Sequence, residues 1–222
     1  MTRQPFPYSL ATVLIAGLLT VSCGAGEETV PEAGATAEGA TEAESAPPAS
    51  QESPGFDFTS TDYWDSGITF HVTSANSGSI NEVTITPSGL EIDNSSVTVE
   101  VDGTITGAEV GDLNIDGSPE IYIFVTSAGS GSYGSLVAFA TNNRKSMTPI
   151  YLPPIAEHPE ASKGYMGHDD FAVVETNLVQ RFPVYAEGDS NANPTGGTRQ
   201  VQYRLEAGEA GWVLTPDKVL EY

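Results

Sequence analysis

An acidic run between residues 112 and 120 has the residue types and the spacing of a site for a hard cation. Its oxygen-bearing side chains are those of Asp112, Asn114, Asp116 and Glu120. Oxygen ligands at every second position, followed by Gly117 for a sharp turn, suit Ca²⁺. The run is not an EF-hand, because Ile123 stands at the twelfth position, where that loop needs a bidentate glutamate. We expect either a structural calcium ion that pins a turn between strands or a turn without metal.

A second stretch that could carry function is the run of glycines and hydroxyl side chains at residues 126–134. It separates two runs that are typical of strands, and it is too long for a two-residue hairpin turn. Its glycines permit positive φ and close backbone approach, while Ser130, Ser132 and Tyr133 supply hydroxyl groups. It lacks both the lysine of a phosphate-binding loop and the nucleophile elbow of a hydrolase. It is predicted either to protrude and fit a polar cleft of another molecule, or to be a flexible hairpin tip.

Two further polar stretches are typical of structural loops. Residues 164–171 contain His168 beside two acids, but no second histidine lies near in sequence, so His168 is expected to anchor this loop to the next strand. Residues 189–199 are rich in turn-forming types and precede an alternating strand. No nucleophile context orders the Ser, His and Asp residues into a triad. We therefore expect a protein that is not an enzyme.

The N-terminus is predicted to be an export signal that ends at the only cysteine. An apolar run at residues 10–19 is too short to span a bilayer core of about 30 Å. Small residues then precede Cys23, as in the lipobox of bacterial lipoproteins. We therefore predict a lipoprotein signal peptide over residues 1–22 and membrane attachment through lipid on Cys23. An ordinary secretory signal with an incidental cysteine is the alternative.

Residues 23–55 are predicted to form a disordered acidic linker. The segment is rich in Ala, Glu, Gly, Ser, Thr and Pro, and it has no basic or aromatic residue. Such a composition cannot bury enough apolar surface to offset the entropy lost on ordering. With Cys23 acylated, the chain beyond the signal has neither a thiol nor a disulfide, so its stability must come from a hydrophobic core.

The charge balance narrows the classes of partner. The formal net charge is −22, with only 8 lysines and arginines. This balance excludes the basic surface through which proteins bind nucleic acid. A strongly acidic surface instead attracts cationic partners at rates that depend on salt, or it serves only to keep the protein soluble outside the cytoplasm.

Residues 56–222 are predicted to form one all-β domain. Apolar and polar residues alternate with a period of two at residues 68–73, 96–101 and 199–205, and turn residues punctuate the chain about every ten positions. The only weak helix candidate is residues 159–163. We expect a single antiparallel β-sandwich or flattened barrel of about eight strands.

A resemblance to a known family rests on six stretches, in this order: residues 111–121, 127–134, 151–154, 164–171, 181–185 and 194–200. Together they resemble the periplasmic inhibitors of invertebrate-type (i-type) lysozymes, over roughly residues 57–222. The resemblance implies an all-β fold without catalysis, in which an S-G-x-Y loop enters the lysozyme cleft. The matching residues here are Ser130, Gly131, Ser132 and Tyr133. It further implies that the hydroxyls of Ser130 and Tyr133 hydrogen-bond the catalytic carboxylates of the enzyme.

The leading hypothesis is a lipid-anchored inhibitor of lysozyme, with the i-type as the expected target. It would sit in the cell envelope, facing the periplasm or the outside, and protect peptidoglycan without needing a cofactor. The alternative is an extracytoplasmic β-module, stabilised by calcium, that binds glycans or envelope partners. The sequence leaves open whether the domain is a monomer or a homodimer, and whether the inner or the outer membrane holds it.

Overall fold

The computed structural model describes residues 55–222. The predicted signal peptide, the lipidation of Cys23 and, apart from Gly55, the predicted acidic linker lie outside the described residues. Within the described part of the chain, no helix is long and apolar enough to cross a membrane.

The described chain folds into twelve strands in two sheets. The smaller sheet contains β1 (Phe56–Thr59), β2 (Thr69–Ser74), β3 (Ile80–Ser88) and β4 (Val97–Asp102). The larger sheet contains β5 (Thr104–Gly111), β6 (Glu120–Thr126), β7 (Gly134–Asn142), β8 (Ser146–Tyr151), β9 (Asp170–Val174), β10 (Asn177–Pro183), β11 (Thr198–Ala207) and β12 (Trp212–Glu221). The predicted helix is present as α1 (Pro159–Ser162), and short 3₁₀ turns occupy Tyr63–Asp65 and Ile155–Glu157.

The smaller sheet is an antiparallel meander in the order β1-β2-β3-β4. Its strands follow the predicted period of two. Along β3, for example, Val83 and Ile85 are fully buried, whereas Glu82 and its cross-strand partner Glu100 on β4 face solvent. One face of this sheet therefore covers a core, and the other face is polar.

The larger sheet has the order β5-β6-β7-β8-β12-β11-β10-β9 and curls until its two edges nearly meet. At that closure, the Val173 amide on β9 donates a hydrogen bond of 2.5 Å to the Glu109 carboxylate on β5. Gly111 allows the approach, because a Cβ there would lie 2.9 Å from Val173 Cγ1. The larger sheet is therefore nearly a barrel.

The all-β class and a nearly closed barrel agree with the prediction, but two details of it are corrected. There are twelve strands rather than about eight. The predicted antiparallel arrangement also has one exception, since β8 and β12 pair in parallel at Ile150 and Trp212. The count differs because the predicted strand runs did not include β1, β5, β8 and β9. Gly103, with φ +139°, separates β4 from β5 and packs where a Cβ would meet the Thr126 carbonyl at 2.3 Å.

Strand β6 contributes to two separate cores. Tyr122 and Phe124 belong to the core inside the barrel. Ile121, Ile123 and Val125 point the other way, into the core between the barrel and the smaller sheet. A strand buried on both faces reads as a continuous apolar run, which is why residues 121–125 show no alternation. Truncating a fully buried side chain such as Ile123 to alanine would cost about 2–5 kcal/mol.

Candidate functional site

The Ser–Tyr loop, residues 127–133, connects β6 to β7 and has its own internal hydrogen bonds. The Ser127 amide donates to the Tyr133 carbonyl at 2.9 Å, and the Tyr133 amide donates to Ser127 Oγ at 3.0 Å. Within the tip, the Ser132 amide donates to the Gly129 carbonyl at 3.0 Å. These bonds close the base of the loop and turn its tip, so the loop has a defined shape.

Two other segments hold the Ser–Tyr loop from outside. The His168 amide donates to the Gly131 carbonyl at 2.8 Å. The Asn191 side-chain amide donates to the Ser130 carbonyl at 2.7 Å. Both acceptors are backbone atoms of the tip, so these two bonds fix the position of the tip relative to the barrel while leaving its side-chain hydroxyls unused.

The four residues predicted for lysozyme binding lie together at this tip. Ser130 is exposed, and Tyr133 keeps 48% of its surface in solvent. Gly131 and Ser132 are half-buried, and Ser132 adopts a left-handed backbone with φ 42°. The Tyr133 ring covers Gly131 so closely that a Cβ on that glycine would lie 2.4 Å from the ring. The ring also packs edge-on against Tyr165, with centroids 5.8 Å apart.

Asp169 connects the end of the loop to the barrel interior. Its carboxylate accepts hydrogen bonds from the Gly134 amide at 2.7 Å, from the Tyr165 hydroxyl at 2.6 Å and from Gln180 Nε2 at 2.6 Å. Gln180 in turn accepts from the buried Tyr203 hydroxyl at 2.6 Å. Burial raises the pKa of Asp169, although these three donors act in the opposite direction. The network positions the start of β7 and therefore one end of the Ser–Tyr loop.

His168 acts as a loop anchor, but the segment it anchors differs from the expected one. Its backbone amide holds the Ser–Tyr loop rather than the next strand, and its Nε2 lies 3.3 Å from Asn191 Oδ1. Its ring stacks against Tyr185. Sequence reasoning did not single out Asn191 or Asp169 as supports of the loop. Asn191 was visible only as one member of a polar turn, and Asp169 only as an acid next to His168.

A cleft of about 760 Å³ opens beside Tyr133. Its wall is formed by Tyr151, which is 57% exposed, and by the Leu152, Pro153 and Pro154 segment that follows it. Exposed aromatic and proline side chains therefore continue from the Ser–Tyr loop across the neighbouring surface. The loop and this wall form one contiguous face that could contact a partner.

The predicted cation ligands lie at the other end of β6. One carboxylate oxygen from each of Asp112, Asp116 and Glu120 lies within 4.8 Å of the other two. Asp112 also accepts hydrogen bonds from the amides of Asp116 and Gly117, at 3.0 and 2.9 Å. Asn114 donates its side-chain amide to Asp116 at 2.9 Å. Three of the four predicted side chains therefore present carboxylate oxygens to one point, and Asn114 orients one of them.

Glu120 is the most deeply buried member of this carboxylate cluster, with 1% of its surface exposed. Its Oε2 accepts hydrogen bonds from the Leu113 amide at 2.9 Å and from the Tyr122 hydroxyl at 3.3 Å. Its Oε1 accepts none from any described residue. Burial raises the pKa of Glu120 to about 8. A buried carboxylate oxygen without a partner is rare in folded proteins.

Comparison with known proteins does not assign the chain to a family. No family model matches it, and neither a curated protein nor a solved structure matches it at a significant level.

Proposed function

We propose that this protein inhibits lysozyme, with an i-type lysozyme as its target, by inserting the Ser–Tyr loop into the active-site cleft of the enzyme. The observation that carries the proposal is the combination of two exposed hydroxyl-bearing residues, Ser130 and Tyr133, with a tip that is held by His168 and Asn191. The resemblance of residues 127–134 to the S-G-x-Y loop of lysozyme inhibitors supports the same conclusion.

A held loop is the form that an inhibitor needs. Fixing the backbone of a flexible tip on binding would cost about 1–2 kcal/mol for each residue. Here the backbone hydrogen bonds of Gly131, Ser130 and Ser127 supply that order before any partner arrives. More of the contact energy is then available for affinity.

The chemistry of the target suits hydroxyl donors. Lysozymes hydrolyse glycosidic bonds with a pair of carboxyl groups in a cleft. Hydroxyls of Ser130 and Tyr133 can donate to an ionised carboxylate, and hydrogen bonds to charged groups contribute about 1.5–3 kcal/mol each. The loop offers no glycosidic bond, so the enzyme would be occupied without turning over. The proposed inhibition needs no cofactor.

The net charge of −22 supports fast encounter with a basic enzyme. Oppositely charged surfaces raise association rates, and salt lowers them again by screening. We expect added salt to reduce the association rate constant much more than the dissociation rate constant. The tyrosine and proline wall beside Tyr133 would form the apolar part of the contact.

Anchoring through Cys23 would place this activity next to the structure it protects. A predicted linker of about 32 residues reaches roughly 30 Å from a lipid surface. An inhibitor tethered in this way stays near peptidoglycan and is not lost by diffusion. Mass spectrometry of the mature N-terminus tests this part of the proposal, since a lipidated Cys23 gives a defined mass increase and an unmodified N-terminus gives none.

The test of inhibition is lysis of bacterial cell walls by an i-type lysozyme in the presence of the purified full-length protein. Goose- and chicken-type lysozymes are assayed in parallel to define the target class. We expect Ser130→Ala and Tyr133→Phe each to weaken inhibition by roughly ten- to a hundredfold, because each removes one donor to a charged group.

Matched controls are Ser88→Ala and Tyr222→Phe, which remove the same hydroxyl groups from exposed positions on other parts of the surface. These controls should inhibit as the parent protein does. The proposal is wrong if the parent protein leaves all three lysozymes fully active, or if the Ser130→Ala, Tyr133→Ala double variant inhibits as well as the parent.

A further inference from the structure

We propose that Asp112, Asp116 and Glu120 bind one calcium ion, which stabilises the turn between β5 and β6. The three side chains come from three places in the turn. Asp112 follows the last residue of β5, Asp116 lies at the tip, and Glu120 is the first residue of β6. Their carboxylate oxygens nevertheless converge to within 4.8 Å of one another.

The unpartnered oxygen of Glu120 is an independent observation that points to a ligand. A buried polar atom without a hydrogen bond loses its hydration and gains nothing in return. Oε1 of Glu120 is such an atom within residues 55–222, and its side chain belongs to the same cluster as the carboxylates of Asp112 and Asp116. A cation bound among these oxygens would satisfy it.

The charges in this turn also lack a protein counter-ion. The ion pairs formed within the described part of the chain involve His71, Arg199 and Arg204, and none of them includes a member of the cluster. Placing a negative charge on all three carboxyl groups this close together is unfavourable, and more so where burial reduces the effective dielectric constant. A divalent cation offsets this repulsion directly.

Calcium fits the cluster better than magnesium does. Calcium accepts six to eight oxygen ligands in flexible geometry, whereas magnesium requires a strict octahedron and gives up its water reluctantly. Three carboxylates from one irregular turn supply several oxygens without octahedral symmetry. Asn114 now donates to Asp116, and rotation of its amide would add a further oxygen ligand.

An aromatic pair lies near enough to report on binding. Burial raises the pKa of the Tyr63 hydroxyl, a backbone hydrogen bond of Asp112 lowers it, and the charges of Asp112 and Glu120 raise it further. The Trp64 ring stacks on Tyr63 with centroids 4.8 Å apart. Calcium should therefore change the Trp64 fluorescence, and Trp64→Phe removes the contribution of this tryptophan.

The experiment is a calcium titration of the chelator-treated full-length protein in detergent, followed by thermal melting. Extracellular calcium modules bind calcium with dissociation constants of about 0.1–1 mM. Calcium at 10 mM would then saturate the site and raise the Tm of the protein by roughly 3–10 °C. Calorimetric titration should give about one ion per chain. Magnesium at the same concentration should give a clearly smaller shift.

Three variants separate a specific site from general screening of acidic charge. Glu120→Gln and Asp116→Asn each remove one ligand charge and should abolish most of the Tm shift. Glu82→Gln removes the same charge from the exposed face of β3 and should leave the shift intact. A protein without any shift at 10 mM calcium overturns the proposal, as do equal shifts in all three variants.

The calcium site is independent of the proposed inhibition. Glu120→Gln should still inhibit lysozyme, because the Ser–Tyr loop lies at the opposite end of β6, about 20 Å away along seven residues. Ser130→Ala should conversely keep its full response to calcium. A failure of either proposal therefore leaves the other one testable in the same preparations.

Discussion

Gly167 supports the Ser–Tyr loop through its lack of a side chain. Its backbone is left-handed, with φ +90°, and a Cβ at this position would lie only 2.1 Å from the Gly131 carbonyl oxygen. That oxygen is the acceptor of the His168 amide. Replacing Gly167 by alanine therefore forces the loop tip and its support apart, while the barrel strands themselves are not touched.

The size of the effect follows from two contributions. A left-handed backbone with a Cβ costs about 1–2 kcal/mol. Separating the His168 amide from the Gly131 carbonyl removes a hydrogen bond with a net contribution of about 0.5–1.5 kcal/mol. Gly167→Ala should therefore lower the free energy of unfolding by about 1.5–3.5 kcal/mol. It should also weaken lysozyme inhibition by at least about tenfold, because the displaced tip must be reordered on binding.

Gly188 provides a matched control. Its φ is +91°, almost the same as that of Gly167, but a Cβ there would have no atom within 4 Å. Gly188→Ala should lower the free energy of unfolding by about 1–2 kcal/mol, because only the left-handed backbone contributes. This variant should inhibit lysozyme as fully as the parent protein does. Urea unfolding and the lysis assay measure the two quantities. If Gly167→Ala matches Gly188→Ala in both, the support of the loop by this segment does not matter for function.

Three further predictions concern single side chains. Burial raises the pKa of Asp169 above its usual 3.8. The contribution of Asp169 to the free energy of unfolding is therefore complete below about pH 3.8 and is lost as the pH rises through the raised pKa. Urea unfolding should show this loss in the parent protein and not in Asp169→Asn. Arg199 is 4% exposed and donates to the carbonyls of Ala161 and Lys163, so Arg199→Met should lower the free energy of unfolding by about 2–5 kcal/mol. Ser132→Val should weaken both stability and inhibition, since a β-branched side chain disfavours φ 42°, whereas Ser132→Gly should preserve them.

The sequence predicted individual strands well because their pattern is local. The alternating runs at residues 68–73 and 199–205 appear as β2 and the first part of β11. The arrangement of strands was not predictable in the same way. The last strand, β12, joins β8 to β11, and its pairing with β8 links Trp212 to Ile150 across about sixty positions of the chain. No local pattern encodes such a partner, so neither the order of the strands nor the parallel pair was predicted.

The same distinction applies to the candidate site. The glycine and hydroxyl content of residues 126–134 predicted a loop between two strands, either protruding or a flexible hairpin tip, and residues 127–133 do connect β6 to β7. Its supports were missed for a physical reason. The donor from His168 is a backbone amide, which every residue except proline carries. The donor from Asn191 lies 61 positions from its acceptor, so only the folded structure could identify it.

The two candidate sites occupy the two ends of β6, and this placement determines how each can be perturbed. Because β6 is buried on both faces, it can open only when both cores come apart, which amounts to global unfolding. An ion at Glu120 should therefore act on the stability of the whole domain. These cores hold the strands on which the Ser–Tyr loop begins and ends, but they do not hold the loop itself. The shape of the loop therefore depends on the few hydrogen bonds that support it. Changes at Gly167 and His168 should consequently alter inhibition by more than their effect on stability explains, and changes at Glu120 should do the reverse.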